Sequence, residues 1–97
     1  MTITKNHNGT AVTLSVAGRL DTITAPDLEK EIRSLTSAES LVIDCSALEY
    51  ISSAGLRVLL SAHKTFAKSA GMTVTNVNDT LLDIFEVTGF KDILDIK

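Results

Sequence analysis

The side chains in this sequence best placed to do chemistry are two adjacent serines, Ser52 and Ser53, within Tyr50-Ile51-Ser52-Ser53-Ala54-Gly55-Leu56-Arg57-Val58-Leu59-Leu60. What a hydroxyl can do there depends on its flanks. Upstream, Leu41-Val42-Ile43 is a short apolar run with β-branched residues and reads as a buried strand, ending in Asp44-Cys45-Ser46. Downstream, Leu56, Leu59, Leu60 and Phe66 recur at helical spacing. The serines therefore stand where a loop turns into a helix beginning near Ser53 or Ala54. A hydroxyl at that point can accept a backbone N–H that the first turn leaves unpaired. The same N–H groups and the helix dipole also favour a phosphate. The motif predicts a helix cap, a phosphorylatable switch, or both.

The surrounding pattern supplies the elements that must hold these serines. Ile3 to Lys5 is apolar enough for an edge strand, and Asn6-His7-Asn8-Gly9 signals a hairpin. Val12, Leu14 and Val16 alternate with Thr13, Ser15 and Ala17, the pattern of a strand with one buried face that Gly18 would break. Thr22 or Thr24 caps the next helix, with Pro26 in its first turn, Asp27 and Glu29 near its positive end, and Leu28, Ile32 and Leu35 on one face. The third strand is expected over Leu41 to Asp44. The helix after the serines is expected to run to Ala70 and stop at Gly71. Met72 to Val77 alternates as a fourth strand, and Asn78 or Asp79 caps a third helix that Gly89 closes. Leu81, Leu82, Ile84, Phe85 and Val87 make that helix apolar on more than one side. The last segment, with Phe90, Ile93, Leu94 and Ile96, would cover the second side as either helix or strand. Strand–helix–strand alternation implies parallel pairing with right-handed crossovers, the opening hairpin adding an antiparallel strand. The expectation is a single α/β domain with a small mixed sheet packed by about four helices.

The run Leu41-Val42-Ile43-Asp44-Cys45-Ser46-Ala47-Leu48-Glu49-Tyr50-Ile51-Ser52-Ser53-Ala54-Gly55-Leu56-Arg57-Val58-Leu59-Leu60 resembles the STAS domain family, and within it the bacterial anti-sigma factor antagonists. Gly18-Arg19-Leu20-Asp21-Thr22, then Ala25-Pro26 and an amphipathic helix, is similar to a second piece of the same family. The resemblance spans residues 1–97 and implies the same α/β sandwich. It also implies that a serine at the helix start is phosphorylated by a partner kinase. The matching position is Ser53, with Ser52 the second choice, since many members carry Asp where this chain has Ser52. The partners implied are an anti-sigma factor that is a GHKL-type serine kinase, a PPM-type serine phosphatase and, indirectly, the released sigma factor. The domain itself would hold no cofactor and would work in the cytoplasm. The family's Asp21 loop lies near the serine, so Asp21, Thr22, Ser52, Ala54, Gly55 and Arg57 are the candidate docking residues. An alternative is a STAS structural subunit of a membrane transport assembly, without a phosphorylation cycle.

Each of these residues also has a plainer reading. Asp21 is a good turn or cap residue. Gly55 fits equally a packing need where helix crosses sheet and the close approach of a partner loop. Arg57 lies one turn beyond Ser53 and could reach a phosphate, or simply sit on a solvated face. His63 falls on the apolar side of the helix as a boundary residue, and His7 sits in a turn. A serine hydrolase needs a base held against its nucleophile, and Ser53 is not in a G-x-S-x-G elbow. No phosphate loop or dinucleotide fingerprint is present, and one cysteine with two distant histidines lacks metal-ligand spacing. A non-enzymatic regulator is expected.

The bulk numbers agree with that expectation. The 97 residues suit one domain, and 44% hydrophobic content supports a core without disulfides. Cys45 has no partner to bridge and reads as a small core residue in a reducing compartment. The N-terminus shows no apolar signal segment, and no run approaches the roughly 20 apolar residues of a membrane span. A net charge of −3 with scattered Lys and Arg argues against nucleic-acid binding, as does an aromatic set of only Tyr50, Phe66, Phe85 and Phe90.

Overall fold

Alternation of branched apolar residues with small polar ones builds the centre of the molecule, a five-stranded sheet seen in a computed structural model that describes residues 1–97. The elements are β1 (Thr2–Asn8), β2 (Ala11–Leu20), α1 (Ala25–Arg33), β3 (Ser40–Ile51), α2 (Ser53–Phe66), β4 (Gly71–Thr75), α3 (Asp79–Thr88), a 3-10 turn (Phe90–Asp92) and β5 (Asp95–Ile96). There are three α-helices, one fewer than the about four expected, and a 3-10 turn. Spatial order follows chain order, with β1–β2 antiparallel and every later pair parallel. Each crossover moves one strand the same way, so right-handed connections put all three helices on one face of the sheet. That face carries Val12, Leu14, Val16, Leu41, Ile43, Met72 and Val74, all buried, and they share one core with Leu28, Leu59, Leu81 and Phe85. On β1, Lys5 points the same way, its ammonium 3.0 Å from the Glu31 carboxylate of α1. The opposite face bears half-buried Thr13, Ser15, Asp44, Thr73 and Thr75. At the rims, β1 is an exposed seven-residue edge strand, whereas β5 is two residues long.

Several boundaries differ from the sequence expectation. Gly18 does not break β2. At φ +94 it lets the strand continue through a register shift between Gly18 and Arg19. β3 is twelve residues long, not the four from Leu41 to Asp44. Ser15 pairs with Asp44 but Ala17 with Ala47, and Gly18 pairs with Leu48 but Arg19 with Tyr50. Each shift inserts one extra residue into β3, so its buried positions run Leu41, Ile43, Cys45, Leu48, Ile51 and the two-residue period disappears. The hairpin turn is Gly9-Thr10, with Asn6, His7 and Asn8 still inside β1. The second helix ends at Phe66 rather than Ala70. The Glu39 carbonyl takes the Ser69 hydroxyl at 2.6 Å and the Ala70 N–H at 2.9 Å, which draws that segment into a turn. Gly71 accordingly opens β4 instead of capping the helix, and Asn76, with positive φ, closes the strand two residues before Val77.

Of the alternative caps, Thr24 and Asn78 occupy the N-cap positions of α1 and α3. The last segment is both helical and extended: Leu94 is buried, and Ile96 in β5 lies beside Val74. It leaves Val87 of α3 86% exposed, so the second apolar side of that helix is only partly covered.

Asn78 does two jobs. Its Oδ1 accepts the Leu81 N–H at 2.8 Å and its Nδ2 donates to the Leu48 carbonyl at 3.1 Å, tying α3 to the late half of β3. Asn78→Ala should cost about 2 kcal/mol in chemical denaturation, through a lost cap and an unpaired carbonyl. Asn78→Asp should recover the cap only.

Candidate docking and phosphorylation site

Leu20 and Ile51 are paired at the ends of β2 and β3, and the Ser52 N–H donates to the Leu20 carbonyl at 2.8 Å. The two loops thus leave the sheet side by side at the carboxyl ends of parallel strands, where α/β folds place their sites. Ser52, not Ser53, is the N-cap residue of α2, with extended backbone and its carbonyl accepting the Leu56 N–H at 2.9 Å. Neither serine side chain caps the helix. The Ser52 Oγ is buried without a partner, while Ser53 is the first helical residue and exposed. With no side-chain cap, the amides of Ser53, Ala54 and Gly55 lack an intrahelical acceptor.

Asp21 organises the neighbouring loop. Its Oδ1 accepts the N–H groups of Ile23 at 3.0 Å and Thr24 at 3.1 Å. Its own N–H donates to Thr24 Oγ1 at 2.9 Å, and that hydroxyl donates onward to the Arg19 carbonyl at 2.8 Å. The Thr24 N–H, more than Ile23 or Arg19, holds the Asp21 carboxyl below its ordinary value of 3.8. Asp21 is therefore the frame of the turn. Thr22, at its crest, is exposed and lines a cleft of about 260 Å³ with Pro26, Glu29, Ala54, Arg57, Val58 and Ser61. The structure brings Thr22, Ala54 and Arg57 to one opening, with Arg57 exposed one turn along from Ser53.

Gly55 is buried. A Cβ there would stand 2.7 Å from Leu20 Cγ and 2.8 Å from Ile51 Cγ1, so packing accounts for the glycine. Three residues at this end escaped the sequence reading. Arg19 lies over the Tyr50 ring at 4.4 Å from its centroid, and Ile23 is 85% exposed. Arg19 and Tyr50 stand within the motifs without a role of their own, and Ile23 is an apolar residue between two threonines at no periodic position.

Neither histidine stands beside Ser53. His63 is ten residues further along α2, about 15 Å at helical rise. His7 belongs to β1 near the hairpin, at the far end of the sheet. Burial, and then the charge of Asp44, pushes the Cys45 thiol up to about 12, so it stays protonated and unreactive in the core.

Residues 2–97 match the family model described as "STAS domain". The chain belongs to the STAS domain family. Among STAS relatives, an anti-sigma-B factor antagonist of Listeria monocytogenes is 30% identical over 96 residues, 96% of this chain and 84% of the relative. The anti-sigma-F factor antagonist RsfB of Mycobacterium tuberculosis is 41% identical over 66 residues, 66% of this chain and 53% of the relative. The crystal structure of an anti-sigma factor antagonist from Mycobacterium paratuberculosis superposes with a TM-score of 0.87 at 28% identity, covering 98% of this chain and 83% of that one. No helix of this STAS domain is long and apolar enough to cross a membrane.

Two predictions test how this end is held. Gly55→Ala gains helix propensity of at most about 1 kcal/mol but must push apart two fully buried side chains, so a net loss of about 1–3 kcal/mol is expected in denaturant titration. The second concerns acid. Asp44 is also held below 3.8, first by the Asn76 amide at 2.9 Å and then by the Ser46 N–H at 3.0 Å. A carboxylate depressed on folding contributes stability above its unfolded value, and loses it as pH falls through the folded one. Stability should therefore decline below about pH 4, and Asp21→Asn with Asp44→Asn should flatten that decline in a pH series of unfolding midpoints.

Proposed function

We propose that this STAS domain is an anti-sigma factor antagonist, a binding protein whose partner is exchanged by phosphorylation of Ser53. The observation that carries the reading is the exposed Ser53 hydroxyl at the first helical position of an uncapped helix, beside the rigid Asp21–Thr24 turn. Relatives that are anti-sigma factor antagonists support the same reading. The burial of the Ser52 hydroxyl favours Ser53 as the acceptor. In this reading the unphosphorylated domain binds an anti-sigma factor that is a GHKL-type serine kinase, and so frees the sigma factor. The kinase supplies ATP and magnesium, the domain needs no cofactor of its own, and a PPM-type phosphatase reverses the modification. All of this takes place in the cytoplasm.

Phosphorylation would act on binding rather than on folding. A phosphoryl group adds about −1.5 to −2 charge at neutral pH, which free amides and the positive end of α2 tolerate. A partner lying over Thr22, Ala54 and Arg57 meets that charge and bulk directly. The docking set would be Thr22, Ala54 and Arg57, with Asp21, Ser52 and Gly55 holding them in place.

Incubation with the cognate kinase and ATP, followed by peptide mapping, should place the phosphate on Ser53, and Ser53→Ala should resist modification while still binding the kinase in calorimetry. Ser53→Glu should bind at least tenfold more weakly while its unfolding free energy changes by no more than about 1 kcal/mol. Phosphate on Ser52 would move the assignment. No transfer at all, with equal kinase affinity for all three forms, would favour a structural module of a transport assembly.

A further inference from the structure

We infer that Ile23 is the apolar anchor of the docking surface and seats in a hydrophobic pocket of the anti-sigma factor kinase that covers Ser53. The inference rests on the proposed function and adds a specificity-determining contact that the serine motif does not contain.

A single exposed aliphatic side chain is ordinary on a protein surface. Ile23 differs in how it is held and where. It is 85% exposed, yet its backbone is not loose. Its N–H is bonded to Asp21 Oδ1 at 3.0 Å, and on either side Asp21 and Thr24 are locked to each other and to the Arg19 carbonyl. The Ala25 N–H closes the turn on the Asp21 carbonyl at 2.8 Å. A side chain presented on such a turn loses little further backbone freedom when a partner covers it. Preorganised aliphatic area of this kind has no use in the isolated domain, since Ile23 is not among the hydrophobics that pack on the core.

Position supplies the occupant. Ile23 follows Leu20 by three residues, a reach of at most about 10 Å. The Leu20 carbonyl holds the Ser52 N–H at 2.8 Å. Its neighbour Thr22 lines the same cleft as Ala54 and Arg57. A kinase that brings its phosphate donor to Ser53 must therefore pass over or beside Ile23. Ile23 is not itself a lining residue but stands on the turn between two that are, Thr22 and Pro26, whereas Val87, equally exposed at 86%, belongs to α3, no residue of which lines the cleft. The complementary surface on the kinase is an apolar pocket, bordered by groups able to meet Arg57. Interface energy concentrates in such centrally placed anchors, and their loss is felt mainly in dissociation.

The test uses the purified kinase that transfers phosphate to wild-type Ser53, with a non-hydrolysable ATP analogue, in surface-immobilised kinetics against the full chain. Ile23→Ser should weaken binding roughly ten- to a hundredfold, mostly through faster dissociation. Ile23→Leu and Ile23→Val should stay within about threefold of wild type, and Val87→Ser should match it. Ile23→Ser and Val87→Ser should unfold at the wild-type denaturant concentration, since neither side chain is buried. Wild-type affinity for Ile23→Ser overturns the anchor and leaves the proposed function intact. Equal weakening by Ile23→Ser and Val87→Ser also overturns it. Failure of the wild-type chain to bind any kinase of this type overturns the proposed function and the anchor with it.

Discussion

Gly55 sits on the paired ends of β2 and β3, where a Cβ would come within 2.8 Å of both Leu20 and Ile51 side chains. That approach sets the height of the first turn of α2 above the sheet. The Ser52 N–H and the Leu20 carbonyl then fix its rotation about the strand ends. Together they put Ser53 outside and the Ser52 hydroxyl inside. They also bring the Asp21 turn against α2, because that turn begins one residue after Leu20. A larger residue at position 55 would lift the helix and separate Thr22 from Ala54 and Arg57. The exposed chemistry of this end thus depends on a buried contact that contains no polar atom.

The second organising fact is the one-sided sheet. All three crossovers run in one direction, so every helix covers the same face and the fully buried apolar strand residues collect there. The bare face has to tolerate water, and its Thr, Ser and Asp side chains do so. Asp44, in the middle, is fixed by Asn76 and by its own Ser46 N–H, at the point where β3 takes in its first extra residue. The carboxylate therefore stabilises an irregularity that the following half-strand requires.

Much of this was legible in the sequence, for physical reasons that also mark where legibility stopped. Val12, Leu14 and Val16 alternate because β2 is regular there and one face is covered. The helix after Ser53 was evident because Leu56, Leu59 and Phe66 all face the core. The late half of β3 was hidden because two inserted residues change its spacing from two to three, a pattern that matches neither strand nor helix. The end of α2 was hidden because Ala67 and Ala70 favour helix locally, while the Glu39 carbonyl, remote in sequence, takes their turn. At the site, the serines and the Asp21 loop could be found as residues. Which serine faced solvent could not, since that depends on how Gly55 packs. Ile23 carried no periodic signal, because a residue that serves an outside surface has no reason to follow the rhythm of the inside one.

The two rims of the sheet are unequal. β1 is seven residues long, with the N–H and C=O groups of alternate residues turned outward from β2, whereas β5 is two residues long. Exposed strand edges are templates for further strands. A sheet with one extensible rim can be lengthened once, by a second copy meeting it rim to rim, after which both usable rims are consumed. Fibrils need growth at both sides of every unit. The short β5 therefore acts as a chain terminator, confining any edge-to-edge association of this domain to closed pairs.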